Sequence, residues 1–147
     1  MRQQEIIRAI KELVNNGGNT IIKLPRKEVK VSIHNGSRHT IMVDNYHEVE
    51  IINNDFNEHT LLRILKKVNA PDLGITYDLE YSRHRHVMGW GVENFHVPEV
   101  IPSWLTNKEM TLYKECLKYS GTGRFATTCG LWDMFLELRD SVAERYW

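Results

Sequence analysis

The densest group of side chains capable of chemistry lies in the run Tyr-Ser-Arg-His-Arg-His that begins at Tyr81. Three further aromatic or imidazole side chains follow, those of Trp90, Phe95 and His96. Arginine offers a planar fork that matches phosphate oxygens, and exposed aromatic rings stack on bases. We therefore expect a contact surface here, and its predicted binding residues are Tyr81, Arg83, His84, Arg85, His86, Trp90 and His96.

Two of these histidines also permit a catalytic interpretation. In an extended strand, His84 and His86 point to the same face, about 7 Å apart along the backbone. They would then serve as acid and base around one phosphorus atom, with Arg83 and Arg85 stabilising the phosphoryl charge. An exposed hairpin with a basic turn has the same composition, and this ordinary structural interpretation is favoured.

Metal binding is a further alternative for the same two histidines. It needs a third ligand, and Asp78, Glu80 and His96 are near in sequence. No HExxH or His-Cys-Cys spacing supports any of them. We therefore expect neither a metal nor another cofactor.

The glycine-rich run Ser120-Gly121-Thr122-Gly123-Arg124 is a weaker candidate, for an anion. Glycine-rich turns before helices expose several N–H groups. This run lacks the lysine of a phosphate-binding loop and follows a helix, not a strand, so that motif is excluded. A turn between two helices that uses glycine for its geometry is the preferred interpretation.

The chain contains two cysteines, Cys116 and Cys129. Their spacing fits no zinc knuckle and no CxxC redox motif. Reduced thiols in or near the core of a cytoplasmic protein are the favoured interpretation. The alternatives are a nucleophilic Cys129, activated by the start of a helix, and a disulfide between the two cysteines.

Composition limits the class of protein. The 147 residues include 19 Lys and Arg against 19 Asp and Glu, and 41% are hydrophobic. These values exclude collagen-like, low-complexity and wholly disordered chains. Zero formal charge argues against a dedicated duplex-DNA binder. No apolar run approaches the roughly 20 residues of a membrane span.

The first half of the sequence predicts a helix, a strand meander and a second helix. Apolar residues recur at helical spacing over residues 2–15, and residues 20–24 form a short β run. Three-residue turns at residues 34–36 and 44–46 give apolar pairing, with Ile33 opposite Ser37 and Ile41 opposite Val49. The resulting inward face consists of Val29, Val31, Ile33, His39, Ile41, Val43, Val49 and Ile51.

The second half predicts a hairpin and two helices. It follows the second helix of the first half, which has a capping-box-like start at Asp55 and Glu58 and ends before Pro71. Alternation over residues 75–81 predicts a strand whose partner is residues 85–92, and residues 93–103 form an extended connection. Thr106 and Glu109 form another capping box. The glycine run ends that helix, and a final helix begins near residue 131.

These elements predict an α+β fold: one antiparallel sheet of about five strands, two covering helices and a C-terminal helical hairpin. We expect a single domain over residues 1–147, with a division into residues 1–97 and 98–147 as the alternative. Trp147, if ordered, must dock on this domain or on another chain.

The functional hypothesis is a small cytoplasmic binding protein without enzymatic activity. It would occupy a surface of a protein or of a protein–nucleic-acid complex, as accessory or inhibitor proteins of mobile genetic elements do. Separated acidic and basic segments together with aromatic residues suit such an interface. The alternatives are the phosphodiester- or nucleotide-directed enzyme built on His84 and His86, and a protein that binds single-stranded nucleic acid through the same hairpin.

Overall fold

A computed structural model describes residues 2–82 and 89–147. The chain divides into two compact units, the first comprising residues 1–70 with 146–147 and the second residues 71–145. Both units mix helices with antiparallel strands, so the predicted α+β class is confirmed. In the part of the chain that is described, none of the helices combines the length and apolar content that crossing a bilayer requires. The single-domain organisation stays a prediction.

The first unit is a four-stranded sheet with two helices. Its elements are α1 (Arg2–Asn16), β1 (Asn19–Lys23), β2 (Glu28–Asn35), β3 (His39–Val43), β4 (His47–Glu50) and α2 (Glu58–Asn69), with strand order β1-β2-β3-β4. Helix α1 packs against β1 and β2, and α2 packs against β4. Gly17 and Gly18, at φ 76° and 91°, end α1 in the left-handed region that favours glycine.

The predicted inward face of this sheet is correct. Its valines and isoleucines are buried in one core, except Ile33, which is half-buried. The one histidine of this face, His39, is also half-buried. The second turn pairs Ile41 with Val49 as expected. The first turn lies two residues later than predicted, so Ile33 pairs with Ile41 and not with Ser37. A shift of two on each strand preserves the faces and adds apolar pairs, which explains why the sheet adopts it.

The start of α2 also differs from the prediction. Asn57 is the N-cap, and its Oδ1 accepts a hydrogen bond from the Thr60 backbone N at 3.0 Å. Asp55 lies before the helix, where it accepts from the Phe56 backbone N at 2.9 Å. Buried Phe56 therefore remains in the preceding loop, and the helix begins later.

The second unit contains a three-stranded sheet and two helices. Its elements are β5 (Thr76–Ser82), β6 (Gly89–His96), α3 (Asn107–Leu117), β7 (Phe125–Ala126) and α4 (Gly130–Arg145), with strand order β5-β6-β7. Helices α3 and α4 pack together as the predicted hairpin. Their connection contains β7, a strand too short for alternation to reveal.

The prediction of one five-stranded sheet is wrong, because the strands form two sheets of four and three. The alternation of apolar and polar residues shows which residues lie on the same face of a strand, but not which hairpins join the same sheet. Here β5 pairs with β6 in a sheet separate from β1–β4. The predicted partner of β5 was residues 85–92, whereas β6 extends to His96 through a register shift. There Asn94 has φ 53° and donates through Nδ2 to Asp78 Oδ2 at 2.6 Å. This bulge continues a strand where the sequence favours a loop.

Candidate functional site

The predicted binding residues centre on the hairpin of β5 and β6, and two of them meet there. Tyr81 pairs with Trp90 across the two strands. Their rings make an edge-to-face contact with centroids 5.3 Å apart. Residues directly opposite each other in an antiparallel pair point to the same face, so strand register brings these two side chains together.

This aromatic pair lies at one end of an apolar sheet face. At the other end, Tyr77 contacts Trp132 and Phe135 of α4, with ring centroids 5.3 and 5.5 Å apart. In the middle, Val92 is fully buried. Helix α4 thus packs on the Tyr77 end of this face.

The opposite end of the face remains open to solvent. Leu79 and Tyr81 each retain 46% of their surface exposed, and Trp90 retains 51%. We call Leu79, Tyr81 and Trp90 the aromatic patch. Rings that are half exposed and already held by a neighbour present apolar area at a small cost in conformational entropy. The patch can therefore anchor a partner by burial and ring contacts.

The other predicted site residues do not all join this patch. Arg83, His84, Arg85 and His86 lie outside the described residues, so their roles in binding, in acid–base catalysis or as metal ligands stay predictions. His96 is described, and it lies six positions from Trp90 on β6, about 20 Å along the strand. The structure therefore separates His96 from the two aromatic rings.

His96 lies instead beside the glycine-rich turn that the sequence singled out. Residues 93–96 and 121–124 line a shallow groove of about 440 Å³. The donors of this turn are largely committed to structure, since Gly121 N donates to the Phe95 carbonyl at 2.9 Å. Ser120 N likewise donates to the Leu117 carbonyl at 3.1 Å, and Thr122 N donates to the Tyr119 carbonyl at 3.0 Å. The run serves as a helix-ending turn docked on β6, as the preferred interpretation held.

Arg124 closes one side of that groove. Its guanidinium lies directly over Gly91, where a Cβ would overlap it. Arg124 Nε lies 3.7 Å from Glu93 Oε1, and Nη2 donates to the Glu80 carbonyl at 3.3 Å. The groove therefore pairs one cation with one carboxylate, which weakens its attraction for an anion.

The two cysteines occupy different environments and form no disulfide. Cys116 is fully buried, and burial raises the pKa of its thiol to about 11, with a smaller contribution from Glu115. A thiol in that state is a poor nucleophile. Cys129 is half-buried just before α4 and lines an apolar recess of about 490 Å³. The recess lining includes Glu115 and Tyr119 but no histidine.

An ion pair with a buried carboxylate joins α3 and α4, and the sequence did not reveal it. Glu109 of α3 is fully buried, and its Oε1 accepts from Arg145 Nη2 of α4 at 2.6 Å. Ser141 donates to the other oxygen at 2.7 Å. Burial alone would raise the pKa of Glu109, but hydrogen bonds from Arg145, the Thr106 backbone and Ser141 lower it to about 2.

Part of the arrangement around Glu109 could be predicted from the sequence. The capping box of Thr106 and Glu109 is present as predicted, with both of its hydrogen bonds formed. Ser141 and Arg145 stand four apart on α4 and so share a helix face. Nothing local indicates that this face meets the capping glutamate. The pair holds two helices together and does not face any described groove.

No group of three His, Cys, Asp or Glu side chains among residues 2–82 and 89–147 is arranged to hold a metal ion. The chain's similarity to other proteins adds no further assignment. It matches no protein-family model, no curated protein and no solved structure.

Proposed function

We propose that this chain is a binding protein without catalytic activity, which docks on a protein partner through the aromatic patch. The observation that carries the proposal is the half-exposed pair of Tyr81 and Trp90, at the open end of a sheet face whose other end is covered by α4. Contiguous exposed apolar groups on a folded protein mark interaction sites. Tyrosine and tryptophan are also the residues most enriched among interface hot spots.

Charge near the patch favours a protein over a nucleic acid. The described part of the hairpin carries three carboxylates, from Asp78, Glu80 and Glu93, on the strands that hold the aromatic rings. The nearby cation, Arg124, is already paired with Glu93. Along the described strands, a phosphate backbone meets net negative charge, which opposes binding. Arg83 and Arg85, which follow β5 in the sequence, lie outside the described residues.

We further propose a cytoplasmic location, since both cysteines are free thiols. Action as an accessory or inhibitor protein of a mobile genetic element stays a prediction.

The test is quantitative capture from an extract of the native cells, treated with nuclease and untreated. Immobilised full-length protein is compared with its Tyr81→Ala and Trp90→Ala variants. Tyr46→Ala is the matched control, because Tyr46 is 84% exposed in the turn between β3 and β4. We expect a stoichiometric protein that binds the wild type and the control and is lost at least tenfold from both patch variants, as hot-spot truncations above about 1.4 kcal/mol produce.

Two outcomes contradict the proposal. One is capture that all variants share equally, which would place the contact elsewhere. The other is capture that disappears with nuclease or falls steeply with salt, which would identify nucleic acid as the partner. Circular dichroism of each variant verifies that the loss of binding is not loss of folding.

A further inference from the structure

Strand β5 is the edge of its sheet. The strand order is β5-β6-β7, and within the described part of the chain no strand pairs with the other side of β5. Alternate residues of an edge strand direct their N–H and C=O groups away from the neighbour, which is the geometry that an added strand uses. Arg124 reaches the Glu80 carbonyl, but it lies over Gly91 of β6 and so approaches from the β6 side.

The side chains of β5 alternate sharply between its two faces. One face carries Tyr77, Leu79 and Tyr81, which begin at α4 and end in the aromatic patch. The other face carries two exposed carboxylates, Asp78 and Glu80. A strand added beside β5 would place its residues alternately against apolar groups and against negative charge.

We infer that β5 binds an extended peptide segment that alternates apolar and basic residues, which joins the sheet as an additional strand. This inference rests on the proposed function and specifies how the protein partner reaches the aromatic patch. Backbone hydrogen bonds along β5 supply affinity, and the alternation supplies specificity. The apolar residues of the segment extend the patch, while its lysines or arginines lie beside Asp78 and Glu80.

The same charges disfavour a second copy of this chain as the occupant. If two β5 strands paired antiparallel about Leu79, Asp78 of each copy would lie opposite Glu80 of the other. Like charges directly opposite each other destabilise a strand pair. Acidic residues on an edge strand thus discourage self-association and leave the edge to a partner of opposite charge.

The experiment uses the full chain labelled with ¹⁵N and two short synthetic peptides, one of alternating valine and lysine and one of alternating valine and glutamate. Amide shifts are followed to a peptide concentration of about 1 mM, which detects millimolar affinity. We expect saturable shifts from the valine–lysine peptide that concentrate on residues 76–82 and spare β7. The inference is wrong if no shifts occur, if both peptides bind equally, or if the shifts lie elsewhere.

A charge reversal tests the specificity. Glu80→Lys is expected to weaken the valine–lysine peptide about tenfold and to favour the valine–glutamate peptide, because an attractive cross-strand pair becomes repulsive. Glu99→Lys makes the same change in net charge at an exposed position outside the strands and should leave both affinities unchanged. If the two substitutions change the peptide affinities equally, the preference for the valine–lysine peptide depends only on the net charge of the protein, and the inference is wrong.

The two proposals fail separately. If the peptides do not bind but Tyr81→Ala and Trp90→Ala still lose the captured protein, strand addition is wrong and the aromatic patch stands. If the peptide shifts appear on β5 while the patch variants retain the captured protein, the proposed use of the patch is wrong.

Discussion

Gly91 and Arg124 show how a single residue type can position a functional surface. Two glycines, at positions 89 and 91, make the segment a poor strand by propensity. Of these two positions, only position 91 requires glycine, because the Arg124 guanidinium lies where a Cβ would be. From its position directly before β7, Arg124 reaches Glu93 of β6 and the Glu80 carbonyl of β5.

Gly91→Ala is therefore expected to displace Arg124 and to lower the free energy of unfolding by about 1 kcal/mol, the scale of partly exposed ion-pair contacts. In an Arg124→Ala background the same change should be neutral or stabilising, because alanine restricts the unfolded chain more than glycine does. Urea unfolding of the double-mutant cycle measures this reversal.

Gly89→Ala is the control for that cycle, since no atom lies within 4 Å of the position of its Cβ. Gly89→Ala should not destabilise in either background. If Gly91→Ala costs the same with and without Arg124, the guanidinium is not the reason for the glycine.

At the scale of elements, the contact between α3 and α4 depends on a charge held in the core. The Glu109 carboxylate accepts from the Thr106 backbone, Ser141 and Arg145, so its oxygens are satisfied in the absence of water. Only the carboxylate of this pair is buried, since the Arg145 side chain is 34% exposed, so the hydrogen bonds that Glu109 accepts offset the cost of burying its own charge.

Glu109→Gln is expected to cost about 1.5–3 kcal/mol of unfolding free energy, the scale of hydrogen bonds to a charged group, because the buried carboxylate loses its charge while the Arg145 side chain, 34% exposed, still reaches water. Ser141→Ala removes one neutral donor and should cost about 1–2 kcal/mol. Chemical denaturation at neutral pH compares the two. Equal, small losses would show that the carboxylate charge contributes nothing.

The lowered pKa of Glu109 also predicts how stability depends on pH. The folded pKa is about 2 against an ordinary 4.5, so this stabilisation is fully present above about pH 4.5 and disappears as pH falls towards 2. The shift corresponds to about 3 kcal/mol. Unfolding measured across this acid range should show that slope in the wild type and its absence in Glu109→Gln. Parallel curves would contradict the assignment.

The elements also show which features a sequence can predict. Helix α1, the inward face of the first sheet and the Thr106 capping box follow from local periodicity or spacing. The limits of β6 do not, because the bulge at Asn94 is stabilised by Asp78 on another strand. Tyr81 and Trp90 are each predicted as binding residues from the sequence, but their contact depends on the register between β5 and β6, which the sequence does not reveal.

At the scale of the whole molecule, the first unit is assembled from distant parts of the chain. Asn69 is fully buried; its Oδ1 accepts from the Arg26 backbone N at 2.7 Å and its Nδ2 donates to the Tyr146 carbonyl at 2.9 Å. Trp147 packs against the core of this unit, so this tryptophan docks within its own chain.

Asn69→Ala is expected to lower the stability of the first unit by about 3 kcal/mol, since it leaves two backbone groups without their partner. Hydrogen exchange followed by mass spectrometry should show faster exchange across β1–β4. Asn15→Ala, on the exposed side of α1, is the control and should exchange like the wild type. Unchanged protection in Asn69→Ala would mean that the amide does not hold the unit together.

This arrangement sets an order of events during synthesis on the ribosome. Asn69 and Tyr146 are 77 positions apart, so at a synthesis rate of about 5–20 residues per second Tyr146 is added about 4–15 s after Asn69. Throughout that interval the second unit emerges while the first still lacks its closing residues. The first unit to leave the ribosome is therefore the last to be completed.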